Sequence, residues 1–278
     1  NVILAPIFIF ALDRGIKGAA IATDIAMAVG AAFVIAHFCR RTSTVRFTRG
    51  IYGIKWHIVW GIISIGAAPS IVNVTSSAIN VIINRTLYNY GGDIAVGAVG
   101  IFSTYTSLLC MIVVGLCQGV QPILGYNYGA GHMTRLRKAF WMAAVIGTCV
   151  TSIGAFFSIF FPDLIARAFT VDSELIAATA NGLHISTVMF WAVGFQIIST
   201  TLFQSIGMAG KSIFLSLIRQ VIFLIPLLLT LPKHFGLNGV WASFPSSDLA
   251  ATVVTLIMVF YQLHKLRRHV PPRPASYQ

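Results

Sequence analysis

Long apolar runs dominate this sequence, and its charged residues are confined to short stretches between those runs. Only 9% of the 278 residues are charged, against about 25% in an ordinary soluble domain. A soluble protein this poor in charge would expose large apolar patches and aggregate. Since lipid-exposed backbone must satisfy its own hydrogen bonds, the pattern predicts an all-α polytopic membrane protein with the lipid bilayer as its partner.

The length of a membrane-crossing helix sets the number of predicted spans, because such a helix needs about 20 apolar residues. The first apolar run is shorter than this, so we expect it to be the end of a helix that begins upstream. Seven later runs are long enough to cross. The predicted spans are 1–11 (partial), 16–38, 66–88, 94–121, 139–161, 177–206, 212–231 and 237–263.

The connections between the spans alternate in charge. One set holds thirteen Lys and Arg and no acidic residue, and the other holds five Lys and Arg with several acids. The positive-inside rule therefore predicts a cytoplasmic C-terminus, and we expect a multi-pass protein of the bacterial inner membrane. The basic set is Arg40, Arg41, Arg46, Arg49, Lys55, Arg135, Arg137, Lys138, Lys211, Lys265, Arg267, Arg268 and Arg273.

Several functions are disfavoured by the same sequence. The net charge of +12 sits in clusters that flank apolar runs rather than along one face, which argues against a nucleic-acid partner. The four cysteines form no CxxC pair, and no HExxH, no GxSxG and no paired carboxylates suggest a metal or catalytic site. No cofactor and no enzymatic activity are predicted.

Two glycine-rich segments predict an internal repeat. Gly15–Gly18 and Gly236–Gly239 both read G-[IL]-x-G, and in each case a proline of the preceding span, Pro6 or Pro226, lies nine or ten residues upstream. Parallel repeats of this kind occur in some transporters. The alternative is that small residues simply let paired helices approach.

Two carboxylates lie inside predicted spans, where a charge costs at least ~2.5–3.5 kcal/mol and is usually functional. Asp24 lies about eight residues into its span, and Asp248 lies about twelve residues, roughly 18 Å, into the last. Either is a candidate for proton uptake coupled to release of a cation. Asp248 has a structural alternative, a pair with Arg219 or with local hydroxyls.

Amides and hydroxyls inside the spans are candidate cavity residues. Those of span 66–88 recur at intervals of three or four and so share one helical face. They either line a water-filled cavity or join neighbouring helices. The substrate-cavity candidates are Asn73, Ser77, Asn80, Asn84, Gln121, Gln196, Gln204 and Arg219.

The sequence resembles the multidrug and toxic compound extrusion (MATE) family of antiporters, especially its DinF-like and MepA-like branches. The most specific similarity is Gln121-Pro122 followed by Gly125-Tyr126-Asn127-Tyr128-Gly129-Ala130, with Ser216–Gln220 downstream. Further matching segments are Asn1–Pro6, Gly18–Thr23, Ala68–Ser70, Asn84-Arg85, Tyr90–Asp93, Gln204–Gly207 and Gly239–Trp241.

The resemblance implies a bundle of twelve helices in two six-helix lobes, of which this chain would lack the first four helices. Residues 1–41 would end the N-terminal lobe, 42–65 would be a cytoplasmic linker with an amphipathic helix, 66–265 would form the C-terminal lobe, and 266–278 a cytoplasmic tail. The missing N-terminal helices would be its partner within the same fold, and a monomer is expected.

The resemblance also implies exchange of H⁺ or Na⁺ for cationic amphipathic compounds. Asn1 and Thr23 match polar positions of the family's ion site, and with Asp24 and Asp248 they are the ion-coupling candidates. Ala5 occupies the place of the expected carboxylate. Two alternatives therefore stay open, a lipid-linked oligosaccharide flippase of the same superfamily and a truncated remnant without transport activity.

Overall fold

The computed structural model describes residues 1–39 and 56–268, and helices account for almost all of them. The all-α prediction is confirmed, with no strand in the described residues. The α-helices are α1 (Leu4–Pro6), α2 (Gly15–Cys39), α3 (Trp56–Gly129), α4 (Met133–Phe160), α5 (Pro162–Arg167), α6 (Ser173–Ser186), α7 (Trp191–Ser205), α8 (Ala209–Leu217) and α9 (Ile225–Arg268); π-helical segments cover Ile7–Ala11 and Ile218–Leu224.

The chain divides into two compact units, Asn1–Ile63 and Ser64–Gln278. Most of the predicted linker lies outside the described residues, as does most of the predicted tail. The last part of the predicted linker, from Trp56 onward, belongs to α3, which has no break before Gly92. The first unit pairs the short α1 and its π-helical segment with α2, and the second unit contains every helix from α4 to α9.

Two helices are too long to cross a membrane once and turn back at a glycine. Gly92 in α3 and Gly236 in α9 have non-helical backbone angles. In a straight helix Arg219 and Asp248 would be about 43 Å apart, yet their side chains are 3.3 Å apart. Residues on both sides of Gly92 likewise line one cavity. The predicted spans 66–88, 94–121, 212–231 and 237–263 therefore lie within the helical segments observed.

Membrane-crossing capacity is clear from length and composition. Among the described residues, four helical stretches are long and apolar enough to cross, Gly15–Cys39, Asn73–Gly129, Met133–Phe160 and Ala209–Leu266, or up to five if a bent pair counts as one span. That pair is α6 and α7, bent by 60°. The predicted span 177–206 is therefore helical on both sides of a break at residues 187–190. Thr187, at the break, donates its hydroxyl to the Leu183 carbonyl at 2.7 Å, a bond that often bends helices.

The second unit has two large apolar cores. One core joins the second half of α3 to α4, α7, α8 and the end of α9, around Phe140, Leu202 and Phe203. The other joins residues on both sides of Gly92 to α6 and α9, around Trp241 and Leu183. Between the two cores, polar side chains of α3, α7 and α9 face the interior of the second unit. This placement leaves room for a polar interior site.

The two hairpins of the predicted repeat share one backbone geometry. Gly15 and Gly236 both adopt positive φ angles, +51° and +57°, which glycine adopts without steric cost. Three residues later, Gly18 and Gly239 lie against the backbone of the preceding helical segment, at the carbonyls of Phe8 and Leu231. The same glycine pair thus makes the turn and the close approach in both hairpins, as a repeat predicts.

We expect Gly239→Ala to destabilise the second unit, because its new Cβ would overlap the carbonyl of Leu231 and force the α9 hairpin open. Overpacking of this kind typically costs about 1–3 kcal/mol. A lower melting temperature in detergent would show it. The control is Gly210→Ala, where a Cβ meets no atom within 4 Å; equal melting temperatures for the two variants would contradict the expectation.

Candidate functional site

A cavity of about 680 Å³ lies in the second unit, lined by α3, the α6–α7 region, the π-helical segment Ile218–Leu224 and α9. Its wall mixes apolar side chains with amides, hydroxyls and one ion pair. The rings of Phe102, Phe190 and Phe244 form part of the apolar side. The polar lining comprises Ser76, Asn80, Asn84, Ser103, Thr106, Ser107, Ser186, Arg219, Gln220, Ser247 and Asp248.

A second cavity, of about 390 Å³, adjoins the first. Both are lined by Cys110, Val193, Arg219 and Gln220, so the two spaces meet at these four side chains. The smaller cavity is richer in amides. Its polar lining includes Gln118, Gln121, Gln196, Thr200, Thr201, Gln204, Ser216 and Thr255.

An ion pair connects the wall of the larger cavity across two helices. Arg219 Nη1 donates to Asp248 Oδ1 at 3.3 Å. The Asp248 side chain is only 10% exposed, whereas that of Arg219 is 34% exposed. The carboxylate is therefore the buried member, and the guanidinium is the member that faces the cavity. This is the pairing that the sequence offered as the structural alternative for Asp248.

The backbone of Asp248 is held by a second helix. Gln196 Nε2 on α7 donates to the Asp248 carbonyl at 3.0 Å and to Thr252 Oγ1 at 2.7 Å. Thr252 donates its own hydroxyl to the same carbonyl at 2.6 Å. One amide thus bridges two acceptors one turn apart on α9. These contacts fix the height and rotation of the residue that carries the carboxylate.

The opposite wall is a π-helical turn. Ile218–Leu224 is π-helical, and both Arg219 and Gln220 line the two cavities. Gln220 Oε1 also accepts a hydrogen bond from Ser76 Oγ of α3 at 2.9 Å. A π-turn contains an extra residue, is rare, and occurs often at functional sites. Here it lets two successive long polar side chains face the same space.

The structure brings most of the predicted cavity residues together. Asn80 and Asn84 line the larger cavity, Gln121, Gln196 and Gln204 line the smaller one, and Arg219 lines both. Asn73 and Ser77 line neither of these two cavities. The helix instead turns Ser76 to the cavity, one residue away from Ser77.

The ion-coupling candidates of the first unit form a looser group. Asn1 Nδ2 donates to Thr23 Oγ1 at 3.4 Å, and Thr23 donates to the Ala19 carbonyl at 2.9 Å. Asp24 is exposed on α2. Asn1 and Thr23 therefore meet as the resemblance implies, while the neighbouring carboxylate makes no hydrogen bond or ion pair with the described residues.

Some residues of the site, one lining the cavities and one supporting Asp248, were not identified from the sequence. Gln220 follows Arg219 directly, and neighbours in an α-helix do not normally face the same side; only the π-turn brings them together. Thr252 lies one turn beyond Asp248, and this spacing is visible in the sequence. Nothing in the sequence indicates that Thr252 accepts a hydrogen bond from Gln196. Among the described residues, no three His, Cys, Asp or Glu side chains assemble into a metal site.

These features define a class. A helical bundle with several membrane-crossing segments and a polar cavity is an architecture that small-molecule membrane transporters use. The MatE family model matches residues 69–230, more than half of the 278 residues. The chain belongs to the MatE family, whose members are transporters and not enzymes.

Relatives agree with this assignment. The multidrug export protein MepA of Staphylococcus aureus is 27% identical over 261 residues, which cover 93% of this chain and 57% of that protein. MepA of Staphylococcus haemolyticus is 26% identical, over 99% of this chain and 60% of its own length. The chain thus spans rather more than half the length of these relatives.

Solved structures show the same fold. An outward-facing multidrug resistance MATE transporter of the MOP superfamily superposes with a TM-score of 0.84 at 23% identity, covering 96% of this chain and 60% of that one. An inward-facing structure of such a transporter gives 0.79 at 23% identity, with coverage of 97% and 63%. The predicted MATE-like helical bundle is confirmed.

The unequal exposure of Arg219 and Asp248 predicts unequal effects of removing either one. Arg219→Met leaves a buried carboxylate without its partner, which we expect to cost about 1–3 kcal/mol of stability. Asp248→Asn leaves the guanidinium at the cavity, where water reaches it, and should cost less. Melting temperatures of the two variants and of the double variant would measure this.

The double variant Arg219→Met, Asp248→Asn should be more stable than Arg219→Met alone, because no unpaired charge then remains buried. Additive losses in the double variant would show that the two side chains do not interact.

Proposed function

We propose that this chain is the C-terminal part of a secondary active transporter that exports cationic amphipathic compounds in exchange for H⁺ or Na⁺. The observation that carries the proposal is the interior cavity of the second unit with a buried carboxylate, Asp248, in its wall. The family assignment and the name of the MepA relatives, multidrug export proteins, support it.

The chemistry of the larger cavity suits an amphipathic cation. Phe102, Phe190 and Phe244 offer ring faces and apolar area, and aromatic rings attract cations by about 0.5–2 kcal/mol. Asn80 and Asn84 offer carbonyl oxygens without adding charge. A volume of about 680 Å³ lies in the range of drug-sized binding sites.

Cation exchange follows from the burial of Asp248. A carboxylate that is 10% exposed needs a counter-ion or a proton, since an unpaired charge in this environment is costly. In this structure Arg219 supplies that counter-ion at 3.3 Å. A proton, a sodium ion or a substrate cation at Asp248 would release the guanidinium. Arrival of one cation then favours departure of another, which is the requirement for antiport.

The same ion pair weighs against an oligosaccharide flippase. A pyrophosphate-linked substrate needs a strongly cationic cavity. Of the residues that line the two cavities, Arg219 alone is a Lys or Arg, and the carboxylate of Asp248 offsets its charge. The remaining polar groups are amides, hydroxyls and the thiols of Cys110 and Cys117, which do not select for anions.

The wider setting is part of the proposal. We place the protein in the bacterial plasma membrane with its C-terminus in the cytoplasm, because the connections rich in Lys and Arg alternate with the acidic ones. The helices that the relatives carry beyond the matched region would complete the fold, and a monomer would suffice for transport. Asn1, Thr23 and Asp24 would contribute to ion coupling from the first unit, with Asp24 compensating for Ala5.

Ethidium efflux from cells that express the full reading frame tests the coupling. Efflux should depend on an imposed proton or sodium gradient, and Asp248→Asn should reduce that dependence at least tenfold, because the exchangeable charge is gone. Glu174→Gln is the matched control, since Glu174 is an exposed acid in the first turn of α6 and should transport normally.

Three outcomes separate the possibilities in that assay. Gradient-driven efflux retained in Asp248→Asn but lost in Asp24→Asn would move the coupling site to the first unit. Loss in both variants would assign a role to each carboxylate. Absence of efflux from the unmodified, membrane-inserted protein across a panel of cationic dyes would contradict the proposal and favour the inactive remnant.

Cys110 provides a direct test of the substrate cavity, because its side chain lines both cavities. In a protein that keeps only this cysteine, ethidium should slow modification by a thiol reagent severalfold. A protein that keeps only Cys149, exposed on the outside of α4 and absent from both linings, is the control. Equal protection of the two cysteines, or of neither, would show that the dye binds elsewhere.

A further inference from the structure

A small basic pocket lies far from the polar cavity, where α4 begins and α9 ends. It has a volume of about 330 Å³ and is lined by Arg137, Trp141, Phe260, Leu263 and His264. None of these residues lines the two cavities described above. The pocket is therefore a separate feature that the transport proposal does not use.

The pocket contains an unsatisfied donor. Arg137 Nε is buried and has no hydrogen-bond partner in the described part of the chain. A buried polar group of this kind costs free energy, and its cost is greater when the group is charged. An acceptor from outside the chain would remove this cost.

The chain itself offers Arg137 no nearby carboxylate. The sequence has seven Asp and Glu, and none falls between Ile94 and Pro162 or after Asp248. Asp248 precedes His264 by sixteen residues on α9, about 24 Å along the helix. Asp163 lies beyond the opposite end of α4, about 39 Å from Arg137 by the same rise. The acids nearest in sequence on these helices are therefore too far away to pair with Arg137.

Next to Arg137, α4 and α9 each present a row of exposed apolar side chains. On α4, Trp141 and Val145 are one turn apart and exposed by 36% and 59%. On α9, Phe260, Ile257 and Val253 recur at intervals of three and four and are at least half exposed. The rings of Trp141 and Phe260 lie 6.1 Å apart, so the two rows are adjacent at the pocket.

We propose that this pocket binds the phosphodiester headgroup of an anionic phospholipid, with the acyl chains along the apolar face of α4 and α9. Arg137 would donate to the phosphate, His264 would add a second polar contact, and Trp141 would lie at the level of the headgroup, where tryptophan is enriched. Basic pockets between helices at a membrane surface are suited to such lipids. A free phosphate would satisfy Arg137 but leave the apolar face unused.

Native mass spectrometry of the full-length transporter tests the proposal, with equal amounts of dioleoylphosphatidylglycerol and dioleoylphosphatidylcholine. The unmodified protein should retain phosphatidylglycerol preferentially. Arg137→Gln should lower this preference about fivefold, the factor expected for one basic residue at a membrane surface, while Arg137→Lys should retain most of it. The melting temperature in phosphatidylcholine micelles checks that each variant is folded.

Two controls decide the interpretation. Arg135→Gln removes an exposed cation two residues away that does not line the pocket, and it should leave the preference unchanged. An equal loss in both variants would mean general attraction to a basic surface and would overturn the proposal. Displacement of the bound lipid by millimolar inorganic phosphate would assign the site to a free anion and would overturn it too.

Discussion

The bilayer interior offers the backbone no hydrogen-bond partners, so each interruption of a helix inside it has to be repaired by the protein. Pro245 lies within α9 and has no N–H, which leaves the Trp241 carbonyl without its donor from one turn ahead. Ser186 donates its hydroxyl to that carbonyl at 3.2 Å. Ser186 is the last residue of α6, where that helix breaks before α7. The two interruptions therefore meet, and a side chain at one satisfies the backbone at the other.

Repairs of this kind also shape the site. Three residues after Pro245, the Asp248 carbonyl accepts hydrogen bonds from both Gln196 and Thr252. The helix that carries the carboxylate is thereby tied to α7, while its partner Arg219 sits on a π-turn braced by Gln220 against Ser76 of α3. The ion pair is thus supported from three helices. Its geometry follows from satisfying the backbone around it as much as from attraction between the two charges.

The sequence predicted the parts of the fold that depend on composition and spacing. Apolar run length identified the spans, and the paired G-[IL]-x-G segments identified two hairpins of like geometry, since turn and close approach both require glycine. The break between α6 and α7 was missed because hydropathy is continuous across it; the structure marks it by the Thr187 bond to Leu183 and the contact of Ser186 with α9. The π-turn was missed for a similar reason, because no residue type specifies an extra residue in a helical turn.

Several residues of the candidate site could be predicted from the sequence, but their arrangement could not. Asp248, Arg219, Gln196 and the amides of α3 were recognisable because polar residues inside a span are rare and have to face protein or water. Their grouping into two adjoining cavities was not recognisable, because it depends on how α3, α7 and α9 cross. Asn73 and Ser77 show the limit: their spacing places them on one helical face with Asn80 and Asn84, yet the cavity wall on this helix is formed by Ser76, Asn80 and Asn84.

The two carboxylates predicted inside spans, Asp24 and Asp248, differ in how their charge is compensated. Asp24 is exposed on α2, where solvent or another part of the protein can compensate its charge. Asp248 is buried against a helix that is held in place, and its compensation comes from a guanidinium that faces the cavity. A buried carboxylate of this kind can lose one cation only as it gains another, because the intermediate with an unpaired charge is several kcal/mol less stable. The exchange that we propose at Asp248 depends on this burial, and under that proposal the cation that replaces Arg219 would determine which gradient the protein uses.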